Sequence, residues 1–561
     1  MNIELGTSFC FDDILMEPLL SNISSRKTIS LETNIGINNR KLILKTPLIS
    51  SPMDTVTETD MAIKMALNGG LGIIHRYMNI EDQVSQVTKV KRFLQYIISE
   101  PYKIKPDTRL QEIEHLRKLY NVSSFCVVND YNENILVGIL TKRDIEYMKH
   151  YENYYITNKN QNENQNKNNQ IPDIIATDFM TKIEKLITIS ISGNCSSTDY
   201  NLNLENTLSL AKDLIHTNKI EKIPILRDNI LIGLITLKNI CHYENNKSKA
   251  CIDLNGALCV GAAIGIVDDY MERLDKLISV GVDLICIDVA NGFNTNVFNS
   301  ISVIRSRYPN IVLMVGNVCN WQGYAALAQY DVDCIRVGVG NGSICTTRLE
   351  TGIGKGQFSA VSECFQYKAK TEQIINTINT INTTNTNTIN TINTTNTTNT
   401  KNTNKQLPNL ICDGGSLGKT GNKVKALACG SSAIMLGRTL ASTIESPGTI
   451  IHRNGKRFKY IRGMASTMAN ISKQEKDKHS DSKEKNVSVS THSEGVDGEQ
   501  ELSGSVVDVI EQINGGLKSG MSYLGCETIH QLHNKNSKGE IKFNLVTSIG
   551  MSENGIRVKT Y

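Results

Sequence analysis

The chain has 561 residues, 40% of them hydrophobic, and a formal net charge of +4. This length predicts two or more folded units, and the weak charge without a basic stripe excludes a nucleic-acid-binding surface. No apolar run reaches the roughly 18 residues of a membrane helix, and the N-terminus lacks a signal-peptide run, so we expect a cytoplasmic protein without a membrane partner.

Eight short apolar runs alternate with amphipathic helical patterns along most of the chain. The runs occupy residues 44–50, 71–75, 258–263, 284–288, 311–315, 334–337, 410–413 and 433–436. Such continuous runs indicate strands covered on both faces, as in a parallel sheet. Helices are predicted between them over 59–67, 423–427 and 267–280, the last with Gly281 as its cap. We therefore predict an α/β fold, a (β/α)8 TIM barrel, with an open doubly wound sheet as the alternative.

One gap interrupts this series. Residues 76–257 separate the second run from the third, far more than a connecting helix needs. We therefore predict a separate unit over 97–245, inserted between an N-terminal part of the barrel, 1–96, and a C-terminal part, 246–561.

The inserted unit contains an internal repeat. Its first half ends in ILVGILTKRD and its second in ILIGLITLKN. Two such halves resemble a CBS-domain pair, and the resemblance implies a regulatory adenine or guanine nucleotide whose ribose contacts Thr141, Asp144 and Thr236. Asn239 stands where that family usually has an acid. A structural spacer that binds nothing is the alternative.

Two polar segments interrupt the C-terminal part. Residues 376–405 consist almost wholly of Asn, Thr and Ile, and residues 470–500 contain a run of Lys, Ser, Asp and Glu. Such tracts cannot bury enough apolar area to offset their ordering entropy. We predict a disordered insertion for the first and a flap-like loop for the second.

Polar and glycine-rich stretches follow the predicted strands, where TIM barrels place their active sites. The loop after the sixth strand, GVGNGSICTTR, contains Cys345 between hydroxyl side chains and Arg348. A thiol whose thiolate is stabilised is a nucleophile, and a buried packing cysteine is the alternative. The chain has 14 cysteines but no C-x-x-C pair, so neither a zinc ribbon nor a redox dithiol is indicated.

The loops after the seventh and eighth strands form the usual phosphate site of this fold. Gly414, Gly415 and Gly437 offer backbone N–H groups there, and Asp413 is placed to accept hydrogen bonds from ribose hydroxyls. A nucleoside monophosphate would fit between these loops and Cys345, although strand-to-helix turns favour glycine without any ligand.

These motifs together resemble the IMP dehydrogenase/GMP reductase family. The matching stretches are FDDIL, SPMDTVTE, GIIH, GAAIG, GNGSICTT, DGG and RGMAS, at residues 11–15, 51–58, 72–75, 261–265, 340–347, 413–415 and 462–466. The resemblance implies an oxidoreductase of purine nucleotides, assembled as a homotetramer or larger, in which Cys345 attacks C2 of the purine ring.

The resemblance also implies roles for individual residues. Cys345 and Thr347 are the catalytic pair. Substrate contacts are Ser51, Met53, Ser343, Asp413, Gly415, Gly437, Met464 and Ala465. Cofactor contacts are Asp288, Asn291, Asn317 and Arg336. The backbone carbonyls of Gly340, Gly342 and Cys345 are implied to coordinate K+.

Four features favour the reductase branch, which converts GMP to IMP and ammonia with NADPH. The stretches 345–348, 351–361 and 288–292 resemble the reductase forms. Dehydrogenases hydrolyse their covalent intermediate with an Arg-Tyr pair on a flap, whereas residues 471–495 contain neither residue type.

Other features favour the NAD-dependent IMP dehydrogenase, which remains the alternative. They are the inserted pair, Arg336 and the tail 515–525. The usual reductase stretch Met-Ser-Ser-Glu, whose glutamate helps to protonate ammonia, is also changed, because Thr467 stands at the glutamate position. Either Thr347 and another group take that role or the chain belongs to a divergent branch. A catalytically inactive nucleotide sensor is a further alternative.

Overall fold

The computed structural model describes residues 6–94, 97–98, 101–120, 122–129, 134–161, 173–190, 200–267, 269–389, 406–415, 417–466, 469, 493–547 and 549–550. The chain divides into two compact units. The first comprises Met1–Phe93, Lys249–Asp253 and Ala257–Tyr561, and the second comprises Leu94–Ser248 and Leu254–Gly256. Within the described ranges, every helix is too short or too polar to cross a bilayer.

The first unit is a closed barrel of eight parallel strands. In chain order these are β1 Leu48–Ser50, β2 Leu71–Ile74, β3 Gly261–Ile264, β4 Leu284–Asp288, β5 Val312–Val318, β6 Cys334–Val337, β7 Asn409–Asp413 and β8 Ala433–Leu436. The barrel closes where Leu436 of β8 pairs in parallel with Ser50 of β1. All eight predicted strands are confirmed, and closure rules out the open-sheet alternative.

The core of this unit lies inside the barrel. Its buried side chains include Ile49, Ile73, Cys286, Met314, Ile411 and Met435. A short hairpin, Thr33–Asn34 with Ile43–Leu44, adds Ile35, Leu42 and Leu44 to the same cluster. Since the strands are also covered on the outside by helices, an uninterrupted apolar run was a sufficient signal for each strand.

The described part of the first unit contains nine helices of seven or more residues. They are α1 Thr59–Leu67, α2 Ile80–Phe93, α3 Tyr270–Ser279, α4 Thr295–Arg307, α5 Trp321–Leu327, α6 Gln357–Ile389, α7 Thr420–Ala428, α8 Val506–Tyr523 and α9 Ile529–Ser537. The bounds of α1 match the prediction, whereas α3 begins later than predicted. Gly281, the predicted cap of α3, has a φ of +80°, a conformation that favours glycine.

Helix α6 differs from the prediction. It continues to Ile389, well into the segment 376–405 for which the sequence predicted disorder. The first turns of α6 pack on the barrel, with Ala360 and Val361 fully buried. Each residue added to a helix already formed gains a hydrogen bond without a new nucleation step, so helix can extend into a tract of poor formers. Residues 390–405 lie outside the described residues.

The second unit contains two four-stranded sheets. One has the order Thr181–Lys182, Leu136–Leu140, Phe125–Val128 and Lys103–Ile104, and the other Ile189–Ser190, Lys222–Arg227, Ile230–Thr236 and Ile97–Ile98. Its helices are Leu110–Tyr120, Lys142–Gln161, Ala176–Phe179, Tyr200–Asn218 and Leu237–Asn246. In both halves a hairpin is followed by a helix, as the sequence repeat suggested.

Candidate active site

The loop after β6, residues 338–346, carries Cys345 and is called the nucleophile loop after the role predicted for that residue. Cys345 is half-buried, and its Sγ lies 3.1 Å from Thr347 Oγ1. Thr347 Oγ1 in turn donates to Glu494 Oε2 at 2.8 Å. Because a hydroxyl has one proton, a threonine that donates to Glu494 accepts from the thiol. The three side chains therefore form a path for a proton from sulfur to carboxylate.

Glu494 reaches this position through a small sheet beside the barrel mouth. The sheet consists of Ile450–Arg453, Lys456–Arg462 and Asp497–Glu501. Just before its third strand, the Glu494 carbonyl accepts from Thr346 N–H at 2.9 Å, and Val496 N–H donates to the Ile344 carbonyl at 3.0 Å. These backbone bonds fasten residues 494–496 to the nucleophile loop.

Glu494 is a functional candidate that the sequence reasoning missed. The family pattern places its glutamate at position 467, where this chain has Thr467. Residues 467 and 470–492 lie outside the described residues. Glu494 lies at the end of the segment predicted to be a flap, and its Ser-Glu-Gly setting was the available signal. The carboxylate that accepts from Thr347 therefore comes from a position 147 residues later in the chain.

Asp413, predicted to hold the ribose, ends β7 at the centre of a second network. Its Oδ2 accepts from Asn317 Nδ2 and from Arg336 Nη2, each at 2.8 Å. Arg336 Nη1 also donates to Asp288 Oδ1 at 2.6 Å. Within the described residues, the three side-chain hydrogen bonds to the Asp413 carboxylate, one from Asn317 and two from Arg336, converge on Oδ2. This orientation leaves Oδ1 as the oxygen to offer a ribose.

Arg336 is 6% exposed and lies beneath the two carboxylates. Burial opposes its charge, but Asp413 and Asp288 hold the pKa of the guanidinium well above its usual value. A buried arginine that donates to two carboxylates fixes their orientation. Besides the cofactor contact predicted for it, Arg336 therefore holds Asp288 and Asp413 in place. Asp288 and Asn317 belong to the same network. Asn291 is exposed, and its Oδ1 accepts from Phe293 N–H at 3.1 Å.

The predicted phosphate residues lie on neighbouring turns. Gly414 and Gly415 have φ angles of +74° and +85°, which favour glycine. A Cβ on Gly437 would lie 3.2 Å from Met53 Sδ and 3.5 Å from Ser51 Oγ, so these three residues meet. Ser343 is exposed on the nucleophile loop.

The segment that contains the predicted substrate contacts Met464 and Ala465 is anchored to the barrel. Tyr77 Oη donates to the Met464 carbonyl at 3.0 Å, and Asp54 N–H points to Met464 Sδ at 3.4 Å. Arg462 Nε donates to the Asp54 carboxylate at 2.7 Å. Ala465 is exposed beside them. The backbone of residues 464–465 is thus held at a defined place at the mouth.

Two buried cysteines on the barrel strands differ from Cys345. Cys286 and Cys412 are fully buried on β4 and β7, and burial raises the pKa of each thiol to about 12. Such thiols remain protonated at neutral pH. Partial exposure together with the contact to Thr347 therefore sets Cys345 apart from them.

The nucleophile loop also tests the implied K+ site. Gly340 has a φ of +65°, and the Gly342 carbonyl accepts from Cys345 N–H at 3.1 Å. A carbonyl oxygen has two lone pairs, so this bond leaves one for a cation. Three carbonyls of one tight loop have the donor chemistry that a hard monovalent ion requires.

In the second unit, the predicted ribose residues form matching local pairs. Thr141 N–H and Thr141 Oγ1 donate to Asp144 Oδ2 at 2.8 and 2.7 Å. In the other half, Thr236 Oγ1 donates to Asn239 Oδ1 at 2.9 Å and accepts from Asn239 N–H at 3.1 Å. The halves thus share a threonine at the start of a helix but differ by one carboxylate.

Comparison with known proteins places these sites in context. The family model described as IMP dehydrogenase / GMP reductase domain matches residues 8–384 and 375–557. The inosine-5'-monophosphate dehydrogenase of Bacillus subtilis is 35% identical, over 97% of this chain and 94% of the relative. That of Nitrosopumilus maritimus is 34% identical, over 94% and 95%.

Solved structures show the same architecture. A cysteine-to-alanine variant of GMP reductase from Trypanosoma brucei, in complex with guanosine 5'-monophosphate, is similar with a TM-score of 0.78 and 28% identity over 99% of both chains. The GMP reductase of that organism in complex with guanosine 5'-triphosphate gives 0.68 and 25%, over 97% of this chain and 99% of the other.

Proposed function

We propose that this chain, which belongs to the IMP dehydrogenase/GMP reductase family of oxidoreductases, is an NADPH-dependent GMP reductase that forms IMP and ammonia. The observation that carries the choice is the content of residues 471–495, which include neither Arg nor Tyr. Residues 471–495 thus lack the Arg-Tyr pair with which dehydrogenases of the family hydrolyse their covalent intermediate. The intermediate is then directed to hydride transfer.

The first step of the proposed reaction uses the path from Cys345 to Glu494. The thiol proton passes through Thr347 to the carboxylate, and the thiolate bonds to C2 of GMP. Glu494 then returns a proton, through Thr347, to the amino group on C2. The C–N bond breaks, ammonia leaves, and a thioimidate on Cys345 remains.

The second step reduces the same carbon. NADPH, when bound, would supply the hydride that reduces C2 and would itself be oxidised by two electrons to NADP+. The C–S bond breaks as Cys345 departs as a thiolate, which gives IMP. Asp288, Asn291 and Asn317 are proposed to lie on the nicotinamide side, with Arg336 orienting the carboxylate of Asp288.

Nucleotide binding rests on the turns around the nucleophile loop. In this proposal the phosphate lies on Ser343 and Gly437 and beside Gly415, whose N–H already donates to the Asn341 carbonyl at 3.2 Å. The ribose lies on Asp413. Ser51, Met53, Met464 and Ala465 surround the base. Carbonyls of Gly340, Gly342 and Cys345 would hold K+, which stiffens the loop that carries the nucleophile.

A paired assay in potassium buffer tests the activity. We expect NADPH consumption with GMP, and IMP and ammonia as products in equal amounts. NADH formation from IMP and NAD should be much slower. XMP as the main product, at a rate exceeding that of GMP reduction, would overturn the assignment.

IMP dehydrogenase is the second candidate, and one observation favours it. The curated relatives at 34–35% identity are named as dehydrogenases, whereas the solved GMP reductases are 25–28% identical. The same assay separates the two, because only the dehydrogenase reduces NAD.

For the second unit, we propose a CBS-domain pair that binds an adenine or guanine nucleotide in a homotetramer or larger assembly. Asp144 accepts both hydrogen bonds from Thr141 on Oδ2, which leaves Oδ1 for a ribose. Titration with ATP and GTP should therefore show weaker binding by Asp144→Asn. An unchanged affinity for both nucleotides in that variant would favour the structural spacer.

A further inference from the structure

One residue, Asn341, connects the nucleophile loop to the turn at the end of β7, residues 413–415. Asn341 Nδ2 donates to the Asp413 carbonyl at 2.9 Å and also to Gln357 Oε1. Gly415 N–H donates back to the Asn341 carbonyl at 3.2 Å. A single residue therefore contacts the turn with both its side chain and its backbone.

The partners of Asn341 are themselves held in place. Gln357 is 1% exposed, and its Nε2 donates to the Val337 carbonyl at 2.7 Å. Gly414 approaches so closely that a Cβ there would lie 3.1 Å from Asn341 Oδ1. An amide with two hydrogens satisfies two carbonyl-type acceptors at once, which a carboxylate of the same shape cannot do.

The other end of this connection is the nucleophile. Asn341 is followed by Gly342, whose carbonyl accepts from Cys345 N–H at 3.1 Å. A Cβ on Gly342 would lie 3.3 Å from Cys345 Cβ, so the turn is tight. Displacement of Asn341 would therefore move the backbone of Cys345.

We infer that Asn341 is a positioning residue that sets Cys345 in register with the turn that holds the nucleotide. The inference rests on the proposed function only in assigning the nucleotide to that turn. Asn341 touches neither reacting atom. It acts by keeping the sulfur and C2 at bonding distance when the ribose is held by Asp413.

The test compares Asn341→Asp, which keeps the shape but loses both donors, with Asn341→Ala. Rapid-quench mass spectrometry measures the rate at which the Cys345 adduct forms, per site counted by thiol titration. Misplacement of reacting groups by about 1 Å can reduce rates by about a hundredfold. We expect adduct formation and kcat to fall about tenfold in the alanine variant and further in the aspartate variant. In the aspartate variant, a carboxylate oxygen would face the Asp413 carbonyl oxygen, and the two would repel each other. The KM for GMP should change by less than about threefold, because the backbone bond from Gly415 remains.

Asn68→Ala is the matched control. Asn68 is 7% exposed at the end of α1, and its Nδ2 donates to the Lys64 carbonyl at 2.8 Å. We expect a lower Tm but an unchanged adduct rate.

An aspartate variant with the parent's adduct rate would overturn the inference, because shape alone would then suffice. Variants with a lower Tm but with the parent's adduct rate and kcat would also overturn it. If the parent oxidises IMP instead of reducing GMP, the proposed function fails, but the same adduct measurement made with IMP still decides the role of Asn341.

Discussion

The two ends of the barrel both contain buried charges, but they arrange them differently. At the N-terminal end, Lys91 Nζ bonds Asp253 and Asp283 at 2.8 and 2.9 Å. At the C-terminal end, the Asp413 carboxylate concentrates its bonds on one oxygen, and Cys345 stays half-buried. In the first arrangement the charged groups bond to one another. In the second, one oxygen of Asp413 and the thiol of Cys345 remain accessible to a ligand. In this fold the C-terminal end performs chemistry and the N-terminal end provides stability.

A second cluster at the N-terminal end supports this distinction. Asp333 directly precedes β6 and is fully buried. It accepts from Arg40 Nε at 2.8 Å, from Arg305, and from Leu313 N–H at 2.9 Å. Both carboxylate oxygens are occupied by protein donors. Changes at this end should therefore alter the free energy of unfolding, and changes at the mouth should alter rates.

The largest effect is expected at the mouth, from Cys345→Ser. Loss of the nucleophile should reduce kcat by roughly 10⁴-fold or more, because a serine hydroxyl is a far weaker nucleophile than a thiolate. Steady-state turnover and mass spectrometry of the adduct measure this. Cys319→Ser, which changes another half-buried thiol, should stay near the parent. A serine variant that turns over at the parent's rate would remove Cys345 from the chemistry.

The next largest effect is expected at the opposite end, from Lys91→Met. Burial opposes the charge of Lys91, but Asp283 and Asp253 hold its pKa above the usual value. Its removal takes the cation away from two partly buried carboxylates, which should lower the free energy of unfolding by about 4 kcal/mol. Chemical denaturation measures the loss, and kcat per folded site should not change.

Lys276→Met is the control for that variant. Lys276 pairs with Glu81 at 3.0 Å on the exposed surface, where ion pairs contribute little. If the two lysine variants unfold at the same denaturant concentration, the buried triad does not have the stabilising role assigned to it.

Glu494→Gln should have an intermediate effect, again at the mouth. Glutamine keeps a hydrogen bond to Thr347 but cannot take up or return a proton. General acid–base groups contribute typically 10²–10⁴-fold, and we expect kcat to fall about 10²-fold. Ammonia release in a single turnover measures the affected step. Glu499→Gln, a change in the neighbouring strand where the carboxylate pairs with Arg453, should leave this step unaffected, and equal losses in both variants would refute the relay.

The smallest effect concerns pH and the N-terminal end. His533 Nε2 donates to the Ser431 carbonyl at 3.1 Å, and burial, aided by Lys368, lowers its pKa to about 4. The unfolded chain takes up the proton near pH 6.5 but the folded chain does not. The contribution of this site to the free energy of unfolding is therefore complete above pH 6.5 and decreases by about 3 kcal/mol as the pH falls towards 4.

His533→Gln should flatten that decrease, since glutamine can still donate to Ser431 but does not titrate. Denaturation midpoints at several pH values between 4 and 7 provide the measurement. A parent and variant with parallel profiles would show that His533 does not control the acid stability.

Local pattern was enough to predict the barrel and much of its mouth. Each strand is covered on both faces, so each appears as an apolar run, and the residues after the runs lie at one end because parallel strands share a direction. Cys345, Asp413 and Gly437 could be named for that reason, whereas Thr347 was named from the family resemblance. The match of α1 to its predicted bounds has the same cause, because its buried face recurs with the helical period.

Tertiary structure alone decided how these residues are connected. The contact of Glu494 with Thr347 spans 147 residues and depends on strand Asp497–Glu501 pairing beside the mouth. The contact of Asn341 with Asp413 likewise joins two loops that only barrel closure brings together. The sequence alone determined the strands and the chemical groups at their ends, because period and composition are local. The proton path and the orientation of Cys345 depend on long-range pairing, which no local pattern contains.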